Sequence, residues 1–185
     1  MRSTYPSQKY DEQQNITTKK PPPPPADFAS DENCCCNDIF QPEAETPMPT
    51  TFDITTHAAL DDAIAILRQS LDSKVYYLEG ALGAGKTTFV RHWLHQSGYN
   101  GAVTSPTYAL MNEYHTGQHT VIHADLYRLA TPDELLYLDV RDWSARADRI
   151  FIEWAQNGGA YLPAADVICQ FTLRDGKRTL TALTA

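Results

Sequence analysis

Gly80-Ala81-Leu82-Gly83-Ala84-Gly85-Lys86-Thr87, followed by Thr88, decides how the rest of this chain reads. The stretch satisfies G-x-x-x-x-G-K-[ST]. It lies between a compact apolar run, Val75 to Leu78, and an amphipathic stretch, Thr87 to His95, that carries Phe89, Val90, Trp93 and Leu94. The order strand, glycine-rich turn, helix gives the motif its physical meaning. Glycines allow the tight turn and let backbone N–H groups close on a phosphate, and the helix N-terminus adds its partial positive charge at the same place. Lys86 then reaches the β- and γ-phosphates, and the Thr87 hydroxyl is placed for a magnesium ion that bridges them. Gly80, Leu82, Gly83, Ala84, Gly85, Lys86, Thr87 and Thr88 are therefore the predicted nucleotide-binding loop.

Such a site needs carboxylates on the same edge of a sheet, for the metal and for the attacking water. Two apolar runs end in one: Val121-Ile122-His123-Ala124-Asp125 and Ile150-Phe151-Ile152-Glu153. Asp125 and Glu153 are the predicted catalytic and metal-binding acids, alongside Thr87. His123 reads either as a hydrogen-bonded filler or as a catalyst, and Arg128 either as the partner of an acid or as a phosphate contact. Outward from the loop, Phe52 and Ile54 predict a short strand. Thr55 or Thr56 caps a helix in which Ala59, Leu60, Ala63, Ile64 and Leu67 recur to about Ser70. Tyr108 to Tyr114 and Thr120 to Ala124 read as a hairpin around Gly117, Asp133 to Leu138 as a short helix after Pro132, and Asp166 to Leu173 with Thr179 to Leu183 as a closing hairpin around Asp175 and Gly176. The expected fold class is α/β: a P-loop NTPase with three α/β/α layers and a mixed parallel and antiparallel sheet.

The chain has 185 residues, and 15 Lys+Arg against 23 Asp+Glu give a net charge of −8. Nine of its twelve prolines precede residue 52, whereas all nine glycines lie at Gly80 or later. Residues 1–51 are accordingly expected to form a disordered, Pro-rich N-terminal extension, and residues 52–185 the ATPase domain. The Pro21 to Pro25 run is a plain linker or a ligand for an aromatic groove. Cys34, Cys35 and Cys36 are adjacent, too close to converge on one tetrahedral metal or to pair in an ordinary disulfide framework. Met48 leaves two readings: a genuine extension ahead of it, or a true start there. No apolar run approaches the roughly 18 residues of a membrane span and no secretory signal pattern opens the chain, which places it by default in the cytoplasm. Residues 52–185 hold 11 basic and 15 acidic side chains, a net −4, which argues against a broad nucleic-acid footprint.

Four blocks, in order, carry a resemblance: Leu82-Gly83-Ala84-Gly85-Lys86-Thr87-Thr88, Ser105-Pro106-Thr107-Tyr108, His123-Ala124-Asp125-Leu126-Tyr127-Arg128-Leu129, and Glu153-Trp154. The chain resembles, over about Phe52 to Leu183, the bacterial tRNA threonylcarbamoyladenosine biosynthesis ATPase family TsaE, also called YjeE. The first block is common to many ATPases; the combination is specific. The resemblance implies an ATP-binding hydrolase, using Mg2+, that supports a complex of TsaD and TsaB in forming N6-threonylcarbamoyladenosine at position 37 of tRNAs reading codons that begin with A. Hydrolysis then serves repeated turnover by the partner, and tRNA is met only through the complex. It further implies that Thr87 and Glu153 ligate magnesium, Asp125 positions or activates water, Thr107 senses the γ-phosphate, and Trp154 lies beside nucleotide or partner. Thr56 and Arg178 match positions near the nucleotide. Two residues depart from the family pattern: Ala81, where an acid is common, and Ala155, where proline is common.

Other readings of the same loop are a small metabolite kinase and a nucleotide-sensing module that hydrolyses little. Against a kinase, no glycine-flanked arginine cluster suggests a lid, and Arg141, Arg146 and Arg149 interleave with Asp142 and Asp148 as on a solvated face. No [NT]-K-x-D segment follows to read guanine, and no LSGGQ-like segment is present.

Overall fold

The computed structural model describes residues 49–117 and 119–185. The expectations about the proline run, Cys34 to Cys36 and Met48 fall outside the described residues.

Seven strands form one sheet: β1 (Thr50–Asp53), β2 (Val75–Glu79), β3 (Met111–Thr116), β4 (His119–Asp125), β5 (Arg149–Glu153), β6 (Val167–Arg174) and β7 (Lys177–Thr184). Their order across the sheet is β1-β7-β6-β2-β5-β4-β3. The inner strands β6, β2, β5 and β4 run parallel, while β1 on β7, β7 on β6, and β3 on β4 pair antiparallel. The mixed sheet is thus a parallel centre with a hairpin at each side. Buried on both faces, β2 and β5 read as continuous apolar runs.

Period-two alternation splits β2, β5 and β4 between two cores. Tyr76, Leu78 and Phe151 face helices α1 (His57–Ser70) and α2 (Lys86–Gln96), where they meet Leu60, Ile64, Phe89, Trp93 and Leu94. Val75, Ile150, Ile152, Ile122 and Ala124 face the other way, onto Leu126, Leu135, Val140 and Trp143. Each fully buried side chain of this size contributes roughly 1.5–3 kcal/mol. The first core is rich in aromatics: Trp93 lies 5.2 Å from Phe151 and 5.3 Å from Tyr76, ring centroid to centroid. Thr56 caps α1 by accepting from the Ala59 N–H at 3.1 Å.

The third layer is thinner than the other two. The expected short helix is a 3-10 segment, Pro132–Leu138, and beyond it come a 3-10 turn, Val140–Asp142, and one helical turn, α3 (Trp143–Arg146). Trp143 is fully buried, with its indole N–H donating to Leu138 O at 2.9 Å. Two further elements differ from the sequence expectation. Pairing starts at Thr50, because Thr50 and Thr51 form an exposed edge against Ala182 and Thr181 of β7. The first hairpin strand begins only at Met111. Pro106 opens a turn closed by Leu110 N–H on Pro106 O, and Leu110 is left-handed at φ 62°, so Tyr108 to Leu110 imitate a strand by composition alone.

Candidate active site

Register brings the two acids together. Asp125 and Glu153 are direct partners at the C-terminal ends of the parallel strands β4 and β5. Beside them β2 ends at Glu79 and turns into the phosphate loop, so all three carboxyl ends open on one crevice. Gly80 is required where β2 leaves the sheet: its φ is 140°, and a Cβ there would lie 2.5 Å from Phe171 O. Gly85, at φ 115°, turns the chain into α2.

Lys86 is buried. Its Nζ donates to Gly80 O at 3.0 Å and Ala81 O at 3.1 Å, lies 3.8 Å from Glu153 Oε2, and sits 4.7 Å from the centre of the Trp154 ring. The Thr87 hydroxyl donates to Glu153 Oε1 at 2.8 Å, and His123 Nε2 lies 3.0 Å from the same oxygen. Glu153 therefore gathers the loop lysine, the loop threonine and a buried histidine. Asp125 is also buried, and its Oδ2 accepts from Ser105 at 2.8 Å and, more closely, from Thr107. Its Oδ1 accepts from the Tyr127 N–H at 3.1 Å. Trp154 adopts left-handed φ of 60° immediately after Glu153, and its ring packs 5.1 Å from Tyr127.

These side chains line a cavity of about 330 Å³ whose walls include Lys86, Thr87, Ser105, Thr107, Asp125 and Glu153. A second cavity, of about 240 Å³, lies on the α1 side of the loop and is lined by Thr56, His57, Thr88 and Arg178 among others. Gly83, Gly85 and Thr88 line both. Of the residues predicted to bind nucleotide or metal, all line one of these two cavities except Gly80, at the foot of the loop, and Ala84, buried inside it; His123 lies on neither.

Two contacts had no local signal. Ser105, in the loop after α2, reaches an acid 20 residues away, and His123 reaches an acid 30 residues away through the register of β4 on β5. Arg128 lines the first cavity, with its guanidinium 4.4 Å from the centre of the Tyr108 ring. His123 is fully buried, and among the described residues its Nδ1 has no hydrogen-bond partner.

The oxygen donors suit a hard cation. Among the described residues no three His, Cys, Asp or Glu side chains form a metal cage. Mg2+ does not need one, since it usually takes one or two carboxylates plus phosphate oxygens and water. Thr87 and Glu153 offer that partial set, and Lys86, held by neutral carbonyls, supplies a buried positive charge for an anion.

Residues 54–180 match the family described as threonylcarbamoyl adenosine biosynthesis protein TsaE. A protein of Haemophilus influenzae named tRNA threonylcarbamoyladenosine biosynthesis protein TsaE is 42% identical over 104 residues, which is 56% of this chain and 66% of that one. Like-named proteins of Rickettsia felis and Treponema pallidum are 40% identical over 93 residues and 34% identical over 111. Those matches cover 49% and 60% of this chain, and 54% and 82% of the relatives. The aligned part therefore spans just under two thirds of the Haemophilus relative and about half of the Rickettsia one. In fold, the chain is similar to the crystal structure titled Bacillus subtilus YdiB, with a TM-score of 0.57 and 24% identity, covering 75% of this chain and 87% of that one.

Proposed function

This chain belongs to the TsaE family of threonylcarbamoyl adenosine biosynthesis proteins, and from that premise we propose that it binds ATP with Mg2+ and hydrolyses it in support of the TsaD and TsaB proteins as they form N6-threonylcarbamoyladenosine at position 37 of tRNA. The observation that supports this best is the meeting of Lys86, Thr87, Glu153 and Asp125 at one sheet edge.

In this reading the γ-phosphate draws Lys86 Nζ off the Gly80 and Ala81 carbonyls, exchanging neutral acceptors for an anion. A magnesium ion, when bound with the nucleotide, would supply positive charge to offset the negative charge that develops on the phosphates. Thr87 Oγ1 and Glu153 Oε1, already 2.8 Å apart, would hold it, and His123, 3.0 Å from the same oxygen, orients the Glu153 carboxylate. Asp125 is saturated by the Ser105 and Thr107 hydroxyls. Rotation of Thr107 toward the γ-phosphate frees Oδ2 to orient the attacking water, which couples nucleotide sensing to activation of the nucleophile. Trp154 and Tyr127 wall the cavity and keep bulk water from it.

The test combines two assays on the full-length chain: ATP turnover alone and with TsaD and TsaB, and tRNA modification with the chain present or omitted. Turnover raised by the partners and modification dependent on the chain are expected. ATP turnover that transfers phosphate to a metabolite hydroxyl instead of water would replace this reading with that of a kinase.

A further inference from the structure

His57, the first residue of α1, lines the α1-side cavity together with Thr55, Thr56 and Arg178. Its Nδ1 is 2.9 Å from Nε2 of His92 on α2, and Nδ1 of His92 is 2.8 Å from Oδ1 of Asp61, one turn along α1. Gln96 clamps the far end, donating to Asp61 O at 2.9 Å and to Asp61 Oδ1 at 3.1 Å. Burial pushes the Asp61 carboxyl up, but hydrogen bonds from His92 and Gln96 and the two imidazoles hold it below its ordinary 3.8, so it stays an acceptor at working pH.

The three groups fix one another's hydrogens. A carboxylate oxygen only accepts, so Nδ1 of His92 carries the hydrogen. A neutral His92 then presents a bare Nε2, which accepts from Nδ1–H of His57. A neutral His57 is left with a bare Nε2, the ring's remaining nitrogen, as an acceptor for a ligand in the cavity.

We propose that His57 selects the base of the nucleotide: its Nε2 accepts a hydrogen bond from a 6-amino purine and opposes a 6-oxo purine, with His92 and Asp61 as positioning residues. This rests on the ATP reading above. Gly83, Gly85 and Thr88 line both cavities, so a nucleotide whose phosphates fill one extends its nucleoside along the loop into the other. There the exocyclic N–H of adenine is complementary to a bare imidazole nitrogen, whereas O6 of guanine sets lone pair against lone pair.

The experiment is calorimetric titration of the full-length chain with non-hydrolysable ATP and GTP analogues and Mg2+ at pH 8. Wild type is expected to prefer the ATP analogue by about tenfold or more. His57→Ala should lose the preference through weaker ATP binding. His57→Gln, whose amide serves either base, should restore affinity without selectivity. His92→Phe, which frees the His57 tautomer, should narrow the ratio. Unchanged thermal melting shows that each variant is folded. Tight ATP binding with the same ATP-to-GTP ratio in all variants overturns the His57 assignment alone. Wild type that binds neither nucleotide overturns the ATP reading and this one with it.

Discussion

Lys86 is a buried cation satisfied by neutral carbonyls, with Glu153 Oε2 at 3.8 Å, an arrangement that favours any stronger anion offered at the loop. Lys86→Ala is expected to weaken ATP binding and to lower turnover by at least about a hundredfold, because it removes the positive charge at the β/γ-phosphates. Glu153→Gln and Asp125→Asn should keep measurable nucleotide binding and lose turnover, since loop amides carry much of the affinity while the acids serve metal and water. Filter binding and phosphate release measured on the same preparations separate the two effects, and loss of binding in both acid variants would make those carboxylates structural instead. Gly80→Ala tests the loop's foot: the new Cβ meets a backbone oxygen at 2.5 Å in a backbone conformation that L side chains rarely adopt. A loss of roughly 2–4 kcal/mol in denaturant unfolding is expected; wild-type stability would mean that the β2 exit is looser than its geometry. At this scale the loop and both acids are legible in the sequence, because the motif is contiguous and each acid ends an apolar run. Ser105 on Asp125 and His123 on Glu153 are not, because the first is made by a loop folding back and the second by strand pairing.

Strand β6 shows how an element's burial sets chemistry away from the site. Cys169 on β6 and its neighbour Tyr76 on β2 are both fully buried. Burial pushes the Cys169 thiol from its ordinary 9.0 up to about 12, and the Tyr76 phenol from 10.0 up to about 12. Both stay protonated in the folded chain while their unfolded counterparts ionise from about pH 9 and 10. Above those values the unfolded chain binds fewer protons than the folded one, so stability falls as pH rises. The urea midpoint is expected to drop between pH 9 and 12, and Cys169→Ala should flatten the part between 9 and 10. An identical slope in that variant would show that the thiol does not report burial. The same burial predicts that Cys169 resists alkylation until the sheet opens. Elements with a clear period, β2, α1, α2 and β5, are readable from sequence to within a residue or two. The edge strand β1 is not, because its threonines face solvent and gain their order from β7. The stretch from Val140 to Tyr161 is also opaque outside β5: its pieces are one turn each, too short to show a period, and are held in place by single buried anchors such as Trp143.

The charge of the whole molecule decides what it can hold without help. Residues 52–185 carry a net −4, and several of their cations are already engaged. Lys86 is buried in the loop, Arg146 lies 3.6 Å from Glu113, Arg149 lies 3.9 Å from Asp72, Arg91 donates to Val103 O, and Arg128 stacks on Tyr108. A protein that grips RNA on its own neutralises several phosphates at once, and each neutralised phosphate steepens the fall of affinity with salt. A surface whose cations are scattered among acids supplies neither the field nor the counterion release. The isolated chain is therefore expected to bind tRNA more weakly than about 10 μM at physiological salt, within the range of non-specific association. In the presence of TsaD and TsaB, tRNA should be retained with a salt slope that belongs to those proteins and does not change when this chain is added. Fluorescence anisotropy with labelled tRNA across a salt series reads both quantities. Submicromolar binding by the chain alone, collapsing as salt rises, would require a basic face that residues 52–185 do not provide by composition, and would move the RNA contact from the partners onto this protein.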